Sequence, residues 1–220
     1  AQRVQLSAVY VDGYGFELYA GDDCDHLTSI GCKQSTPYIS SYRTFEGLTV
    51  GEVYYLRVFG SAYQYPDFQV CISTVPPPPP NDECAGALSF DANPDYACNL
   101  RIYGSTLGAT SSQPDCTGAE QTHDVWHSFK ATGSAHRLGF SYVQPIYGDG
   151  QSLGYEVYSG SCGSLISLVC KRNGEPNALL SGLTPGEIYF VRVYSLNSTN
   201  HTYEFCVQTL PPPPANIDCA

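Results

Sequence analysis

The chain has no methionine, one tryptophan and few charges, with only 14% of its 220 residues being Asp, Glu, Lys or Arg. Just 10 of these are Lys or Arg, and they are scattered, against 21 Asp or Glu, for a formal net charge of −11. Binding nucleic acid needs clustered cations to neutralise phosphates, so that class of partner is excluded. No apolar run approaches the roughly 20 residues of a membrane-spanning helix, so no membrane span is expected. No C-x-x-C pair occurs among the 10 cysteines, which argues against a zinc site. G-x-S-x-G, H-E-x-x-H and glycine-rich phosphate loops are all missing, so no enzyme is expected. Nothing positive points to a glycosidase carboxylate pair either. No signal peptide is visible, and the chain opens in a strand-like stretch at Ala1, so residues upstream of Ala1 are expected.

What is present is apolar enough to fold. Hydrophobic residues make up 42%, and the length suits one or two domains. The 10 cysteines, at recurring spacings, point to disulfides, and disulfides persist outside the reducing cytosol. A secreted, extracellular location follows.

Self-similarity organises the chain. Gly47-Leu48-Thr49-Val50-Gly51-Glu52-Val53-Tyr54-Tyr55-Leu56-Arg57-Val58-Phe59 recurs 135 residues later as Gly182-Leu183-Thr184-Pro185-Gly186-Glu187-Ile188-Tyr189-Phe190-Val191-Arg192-Val193-Tyr194. Cys71 and Cys84 match Cys206 and Cys219 at the same offset. Phe16-Glu17-Leu18-Tyr19 matches Tyr155-Glu156-Val157-Tyr158, Cys24 and Cys32 match Cys162 and Cys170, and Ala1–Ser7 matches Ala135–Ser141. The expected organisation is the C-terminal part of one repeat (1–75), a polyproline linker (76–80), a complete repeat (81–210), a second polyproline linker (211–214) and the start of a third repeat (215–220). Proline runs favour the polyproline II helix, a semi-rigid spacer that rises about 3.1 Å per residue.

The repeats read as β-structure throughout. Runs rich in Tyr, Val, Thr and Phe alternate with Gly, Asn, Asp and Pro clusters. In Val53–Phe59, the side chains of Tyr54, Leu56 and Val58 share one face, and those of Val53, Tyr55, Arg57 and Phe59 the other. Leu48-Thr49-Val50-Gly51 and Leu183-Thr184-Pro185-Gly186 carry turn chemistry ahead of a strand. Many short strands at even spacing predict tandem β-sandwich, jelly-roll-like domains joined by polyproline linkers.

Asp124-Val125-Trp126-His127-Ser128-Phe129, Tyr155-Glu156-Val157-Tyr158-Ser159-Gly160 and the Leu183–Tyr194 stretch together resemble the bacterial pre-peptidase C-terminal family. With Pro79-Pro80-Asn81-Asp82-Glu83-Cys84 at its start, the repeat is similar to the Cys-rich tandem repeats of large secreted Bacteroidetes proteins. That resemblance implies a jelly-roll-like sandwich, export by the type IX route, and a non-catalytic role beside enzymes or in adhesins.

Recurrence predicts Cys24–Cys32 and Cys162–Cys170 as short-loop bridges, and Cys98 and Cys116, which have no counterpart in the first part, as a third pair. Two schemes fit the rest. Cys71–Cys84 and Cys206–Cys219 clasp the linkers, or Cys84–Cys206 closes one repeat. The clasp closes all 10 cysteines within the chain and is preferred. It requires Cα atoms within about 7 Å.

Among possible sites, Asp22, Asp23 and Asp25 form an acidic loop whose hard oxygens suit Ca²⁺, and Asn81-Asp82-Glu83 is a second candidate. His123 and His127 share a strand face and could approach a metal. No cofactor besides this possible calcium is expected. Tyr10, Tyr14, Tyr38, Tyr42, Tyr63 and Tyr65 sit in loop-like or edge contexts where a ring can stack on sugar or anchor a protein. Asn197-Ser198-Thr199 and Asn200-His201-Thr202 match the glycosylation sequon, read here as coincidence. The leading function is an extracellular structural or adhesive repeat of a long surface protein or filament. Its partners would be neighbouring repeats, other copies in a fibre, and surface glycans. The alternative is a carbohydrate-binding accessory module of a secreted hydrolase. A protease inhibitor has little beyond the cysteines behind it.

Overall fold

In a computed structural model of the chain, the described residues are 2–8, 14–34, 41–60, 67–118, 123–146, 153–172, 177–196 and 200–211. The chain divides into two compact units, Ala1–Pro76 and Pro77–Ala220. The division falls inside the first proline run.

The first unit contains β1 (Gln2–Ala8), β2 (Gly15–Ala20), β3 (Thr28–Gln34), β4 (Ser41–Phe45), β5 (Tyr54–Phe59) and β6 (Phe68–Thr74). They form two antiparallel sheets, ordered β4-β1-β6 and β3-β2-β5. Val4, Leu6, Phe16, Leu18 and Phe45 fill the space between them, with Tyr54, Leu56 and Val58 packed against them. The Tyr54, Leu56 and Val58 face of β5 is the one that packs on this core.

The second unit opens with a single 3-10 turn (Cys84–Gly86). It continues with β7 (Leu88–Phe90), β8 (Ile102–Ser105), β9 (His123–Lys130), β10 (Ala135–Pro145), β11 (Leu153–Ser161), β12 (Ser164–Lys171), β13 (Asn177–Ser181), β14 (Ile188–Ser195) and β15 (His201–Thr209). A five-stranded sheet, β12-β11-β14-β9-β7, faces a four-stranded sheet, β13-β10-β15-β8. Period-2 alternation sends Val125, Phe129, Val157, Val191 and Val193 from one sheet and Leu138, Leu180, Tyr203, Phe205 and Val207 from the other into one core. The fold is an all-β sandwich, as the strand pattern predicts.

The two units share their strand register. β1 aligns Val4 with Ile72 on β6, and β10 aligns Leu138 with Val207 on β15, the residue 135 positions beyond Ile72. The recurrent Gly-Leu-Thr-x-Gly-Glu motif makes the same turn twice. Gly47 and Gly51, like Gly182 and Gly186, have positive φ of 69° to 92°, the left-handed region that favours glycine. After each turn a tyrosine hydroxyl accepts a backbone N–H from five residues upstream, Thr49 to Tyr54 at 2.8 Å and Thr184 to Tyr189 at 2.9 Å. This device resembles the tyrosine corner of other sandwiches. Its recurrence explains why that motif repeats so faithfully.

Candidate functional site

Three features of the second unit go beyond a packed core: its disulfide framework, a buried ionic network, and an open polar-aromatic sheet face.

The disulfides are Cys84–Cys162, Cys98–Cys206 and Cys116–Cys170, with Cα separations of 5.5, 5.9 and 6.2 Å. All lie in the normal range. This corrects the sequence-based pairing. Cys162 sits at the tip of the β11–β12 hairpin, beside the Ser161↔Ser164 rung, whereas Cys170 lies near its base opposite Glu156. Six residues of strand, about 20 Å, separate the two sulfurs' positions, so they cannot meet. Cys24 and Cys32 are likewise unbonded and exposed, since Cys24 lies in the β2–β3 turn and Cys32 faces Glu17 well down the hairpin. Cys98 and Cys116 pair with different strands, not with each other. Cys71 is an exposed thiol, so it does not clasp the linker to Cys84. Cys206 reaches Cys98, which excludes both Cys84–Cys206 and Cys206–Cys219. Cys219 itself lies outside the described residues. Each bridge joins the segment before β9 to the β11–β12 hairpin or to β15.

The ionic network lies on the outer side of the five-stranded sheet, beneath residues 110–118. Arg192 on β14 is fully buried. Its Nε donates to Asp124 on β9 at 2.6 Å, and its Nη1 donates to Glu156 on β11 at 3.2 Å and to the Pro114 carbonyl at 2.9 Å. Nη2 donates to the Gln113 carbonyl. The guanidinium lies 5.9 Å from the Trp126 ring centre and 5.0 Å from that of Tyr194. Asp124 also accepts the Ser112 N–H at 2.8 Å and the Ser112 hydroxyl, and the Tyr158 hydroxyl donates to Glu156. Burial pushes the Tyr158 and Tyr194 phenols well above their usual range. These bonds fasten the covering segment to the sheet. Sequence reasoning missed it. Its signal was the charged Asp124, Glu156 and Arg192 placed on three strands at alternating positions.

Among the residues expected to suit calcium, Asp23 bonds within its own loop. Asp23 Oδ1 accepts the N–H of Asp25 at 2.9 Å and of His26 at 3.0 Å, and lies 2.8 Å from His26 Nδ1. The carboxylates of Asp22, Asp23 and Asp25 do not converge within 4.8 Å of one another. Asn81 and Asp82 act as a latch. Asn81 Nδ2 donates to the Trp126 carbonyl at 3.0 Å, and Asp82 accepts the Thr110 N–H at 2.6 Å and its hydroxyl at 2.7 Å. Among the described residues, one group has metal-ligating character, Cys116, Glu156 and Cys170, and its two sulfurs are bonded to each other. His123 Nδ1 lies 2.9 Å from Asn200 Oδ1. Asn200 is buried, and Asn197 lies outside the described residues. Tyr14 is buried, while Tyr10, Tyr38, Tyr63, Tyr65 and the Tyr42 side chain lie outside the described residues.

His127 points into the core, its Nε2 2.7 Å from the Tyr203 hydroxyl and its ring against Phe90 and Phe205. Burial pushes its imidazole down to about 4. An unfolded histidine titrates near 6.5, so between those values the unfolded chain binds the extra proton and stability falls as pH falls. The loss is on the order of 2–3 kcal/mol by pH 4.5. In urea titrations at pH 7 and 4.5, His127→Gln should lose markedly less stability on acidification than the unaltered chain. An equal loss would place the acid sensitivity elsewhere.

The open face is the outer side of the four-stranded sheet. Tyr96 and Tyr103 are exposed there. Arg137 stacks 5.5 Å from the Tyr96 ring centre and donates to the Tyr96 hydroxyl and to Asn177 Oδ1, each at 2.9 Å. Arg101 and the Ser141 hydroxyl both donate to Glu204, and hydrogen bonds from Ser141 and Arg101 hold that carboxyl below its usual range. Gly139 keeps the middle of the face low, because a Cβ there would lie 2.9 Å from Asn177 Oδ1.

Residues 80–207 match the family described as galactose binding domain-like and associated with the type IX secretion system. The chain belongs to that family. Type IX association and the disulfides together make this a secreted, extracellular protein, and they agree with the Bacteroidetes secreted-protein part of the sequence resemblance. The matching family is the galactose-binding-like one; the pre-peptidase C-terminal family is not the one matched. No curated protein matches the chain. Among solved structures, the PBSX exported protein XepA aligns at 12% identity over 94% of this chain and 76% of its own, with a TM-score of 0.26. The CUB1-EGF-CUB2 domains of rat MASP-1 align at 10% identity over 94% and 87%, with a TM-score of 0.23. At these scores neither alignment carries an argument. Among the described residues no helix is long and apolar enough to cross a membrane.

Proposed function

We propose that this galactose-binding-like module is a non-catalytic, tension-resistant spacer repeat of a long surface protein. The observation that carries this reading is the Cys98–Cys206 bridge. Cys98 lies 14 positions after Cys84, and Cys206 lies five positions before the second proline run. A pull entering near Cys84 and leaving near Cys206 therefore crosses 14 residues and one bridge, not the 122 residues of the intervening chain. At roughly 3.5 Å per extended residue, the repeat lengthens by at most about 50 Å even if every strand gives way. Stretching single oxidised and reduced molecules tests this. Oxidised repeats that release several hundred ångströms would overturn it.

A second reading rests on the open face. Tyr96 and Tyr103, with Arg137, Asn177 and Glu204 on the same sheet, offer rings and planar hydrogen-bonding groups of the kind that recognise a sugar. The family description favours galactose. Galactose-terminated oligosaccharides should then bind, and Tyr103→Ala combined with Arg137→Ala should weaken binding at least tenfold in titration calorimetry. A blank glycan array would remove this reading and leave the spacer role intact.

A further inference from the structure

In the second unit, residues 81–130 do three things that have no counterpart within the described part of the first. They supply β9 beside β14 and β8 beside β15. They supply Cys84, Cys98 and Cys116 to Cys162, Cys206 and Cys170. They also pack Phe90 and His127 on Phe205 and cap Arg192 with the Gln113 and Pro114 carbonyls.

The first unit shows the matching deficits. Among the described residues, β5 and β6, the counterparts of β14 and β15, each pair on one side only. The exposed thiols Cys24, Cys32 and Cys71 occupy the positions of Cys162, Cys170 and Cys206. Phe68, Val70 and Ile72 on β6 are 50%, 39% and 59% exposed, whereas their counterparts Tyr203, Phe205 and Val207 are 1%, 0% and 0% exposed. In the second unit Phe205 is sealed by Phe90 at 5.4 Å and His127 at 5.2 Å, both from the segment in question. Arg57, the counterpart of Arg192, has a side chain 65% exposed and lies 4.0 Å from Glu17. The buried network has its arginine and one carboxylate in place, without Asp124, Trp126 or the covering strand. An open strand edge beside exposed apolar side chains is an aggregation hazard that proteins normally cover.

We propose that the first unit is completed by a segment of the same polypeptide, amino-terminal to Ala1, that adds strands to β5 and β6 and forms disulfides with Cys24, Cys32 and Cys71. Four residues, 131–134, join β9 to β10, so a β9-like strand of this segment would end within a few residues of β1. A second copy of the chain is the poorer donor, because its own residues 81–130 are already held by three bridges and by Arg192. The segment carries three cysteines in the spacing of Cys84, Cys98 and Cys116, which are 14 and 18 positions apart. The first joins Cys24, the second Cys71 and the third Cys32. Each bridge forms from two thiols, which together give up two protons and two electrons to a disulfide oxidant. With glutathione disulfide, each bridge releases two molecules of glutathione.

The test compares the 220-residue chain with one extended at Ala1 by a copy of residues 77–134. Both are refolded in glutathione and glutathione disulfide, alkylated and mapped by non-reducing peptide mass spectrometry. In the unextended chain, Cys24, Cys32 and Cys71 should be alkylated. In the extended chain, they should be joined to the first, third and second added cysteines, and amide exchange in β5 and β6 should slow at least tenfold. Persistent alkylation, a Cys24–Cys32 bond or bridges between molecules would overturn the proposal. Should the copied segment misfold, the same mapping on the natural polypeptide from culture medium decides. Bridges from these three cysteines to residues preceding Ala1 support the proposal, and free thiols or any other pairing refute it.

Discussion

Arg192→Met should destabilise the second unit by about 3–5 kcal/mol, measured by equilibrium urea unfolding with the disulfides intact. The cost comes less from the absent hydrogen bonds themselves than from the buried groups left without a partner. Asp124 and Glu156 would lose the cation that balances them inside the protein, and the Gln113 and Pro114 carbonyls would lose their donor. The methylene stem and sulfur of methionine fill most of the gap between Trp126 and Tyr194, so a cavity contributes little. A second variant separates the causes. Adding Asp124→Asn and Glu156→Gln removes the stranded charges while keeping the shapes, and should restore at least half of the loss. If the triple variant is no better than the single one, the arginine acts through packing on its two rings. The first unit supplies the control. Arg57 and Glu17 are the same pair with the cover absent, Arg57 exposed and 4.0 Å from a half-buried Glu17, so Arg57→Met should leave the urea midpoint of the first unit nearly unchanged.

The same comparison shows what could be read in the sequence and what could not. Strands were legible because alternation is a local pattern: Tyr54, Leu56 and Val58 fall on one face wherever the sheet lies. The recurrent turn was legible because the Gly-Leu-Thr-x-Gly-Glu segment and its tyrosine are fixed by contacts five residues apart. Disulfide pairing was not legible, because it depends on which strands become neighbours. Cys162 and Cys170 are close in sequence yet lie at opposite ends of one hairpin. Cys84 and Cys162 are 78 residues apart and meet only because the 3-10 turn docks beside β9. The same limit applies to the acidic residues. Asp82 and Asp23 have the chemistry of calcium ligands; in the fold Asp82 accepts the Thr110 N–H and hydroxyl, and Asp23 Oδ1 accepts the N–H groups of Asp25 and His26. Whether a carboxylate is free for a metal depends on loop geometry that composition does not encode.

The extension of a pulled repeat should rise in steps as bridges are removed, because the shortest covalent route between its ends is set by connectivity alone. With all three bridges, the route from Cys84 to Cys206 is 14 residues, through Cys98. In a Cys98→Ser, Cys206→Ser variant the shortest route crosses Cys84–Cys162 and then the 44 residues from 162 to 206. In fully reduced protein it is 122 residues. At roughly 3.5 Å per residue, the maximum lengths are about 50, 150 and 430 Å. These steps are far larger than any change that side-chain packing could make. The double variant should also unfold more easily in urea, by about 2–5 kcal/mol, since it frees a loop of 108 residues in the unfolded chain. The two readouts need not move together. Stability depends on how much each bridge restricts the unfolded chain, whereas extension depends only on which cysteines are joined. Removing Cys116–Cys170 should therefore lower stability yet leave the limit of about 50 Å unchanged, because the route through Cys98 does not use it. A variant lacking Cys116–Cys170 that stretches well beyond that limit would mean that force enters and leaves the module by another path.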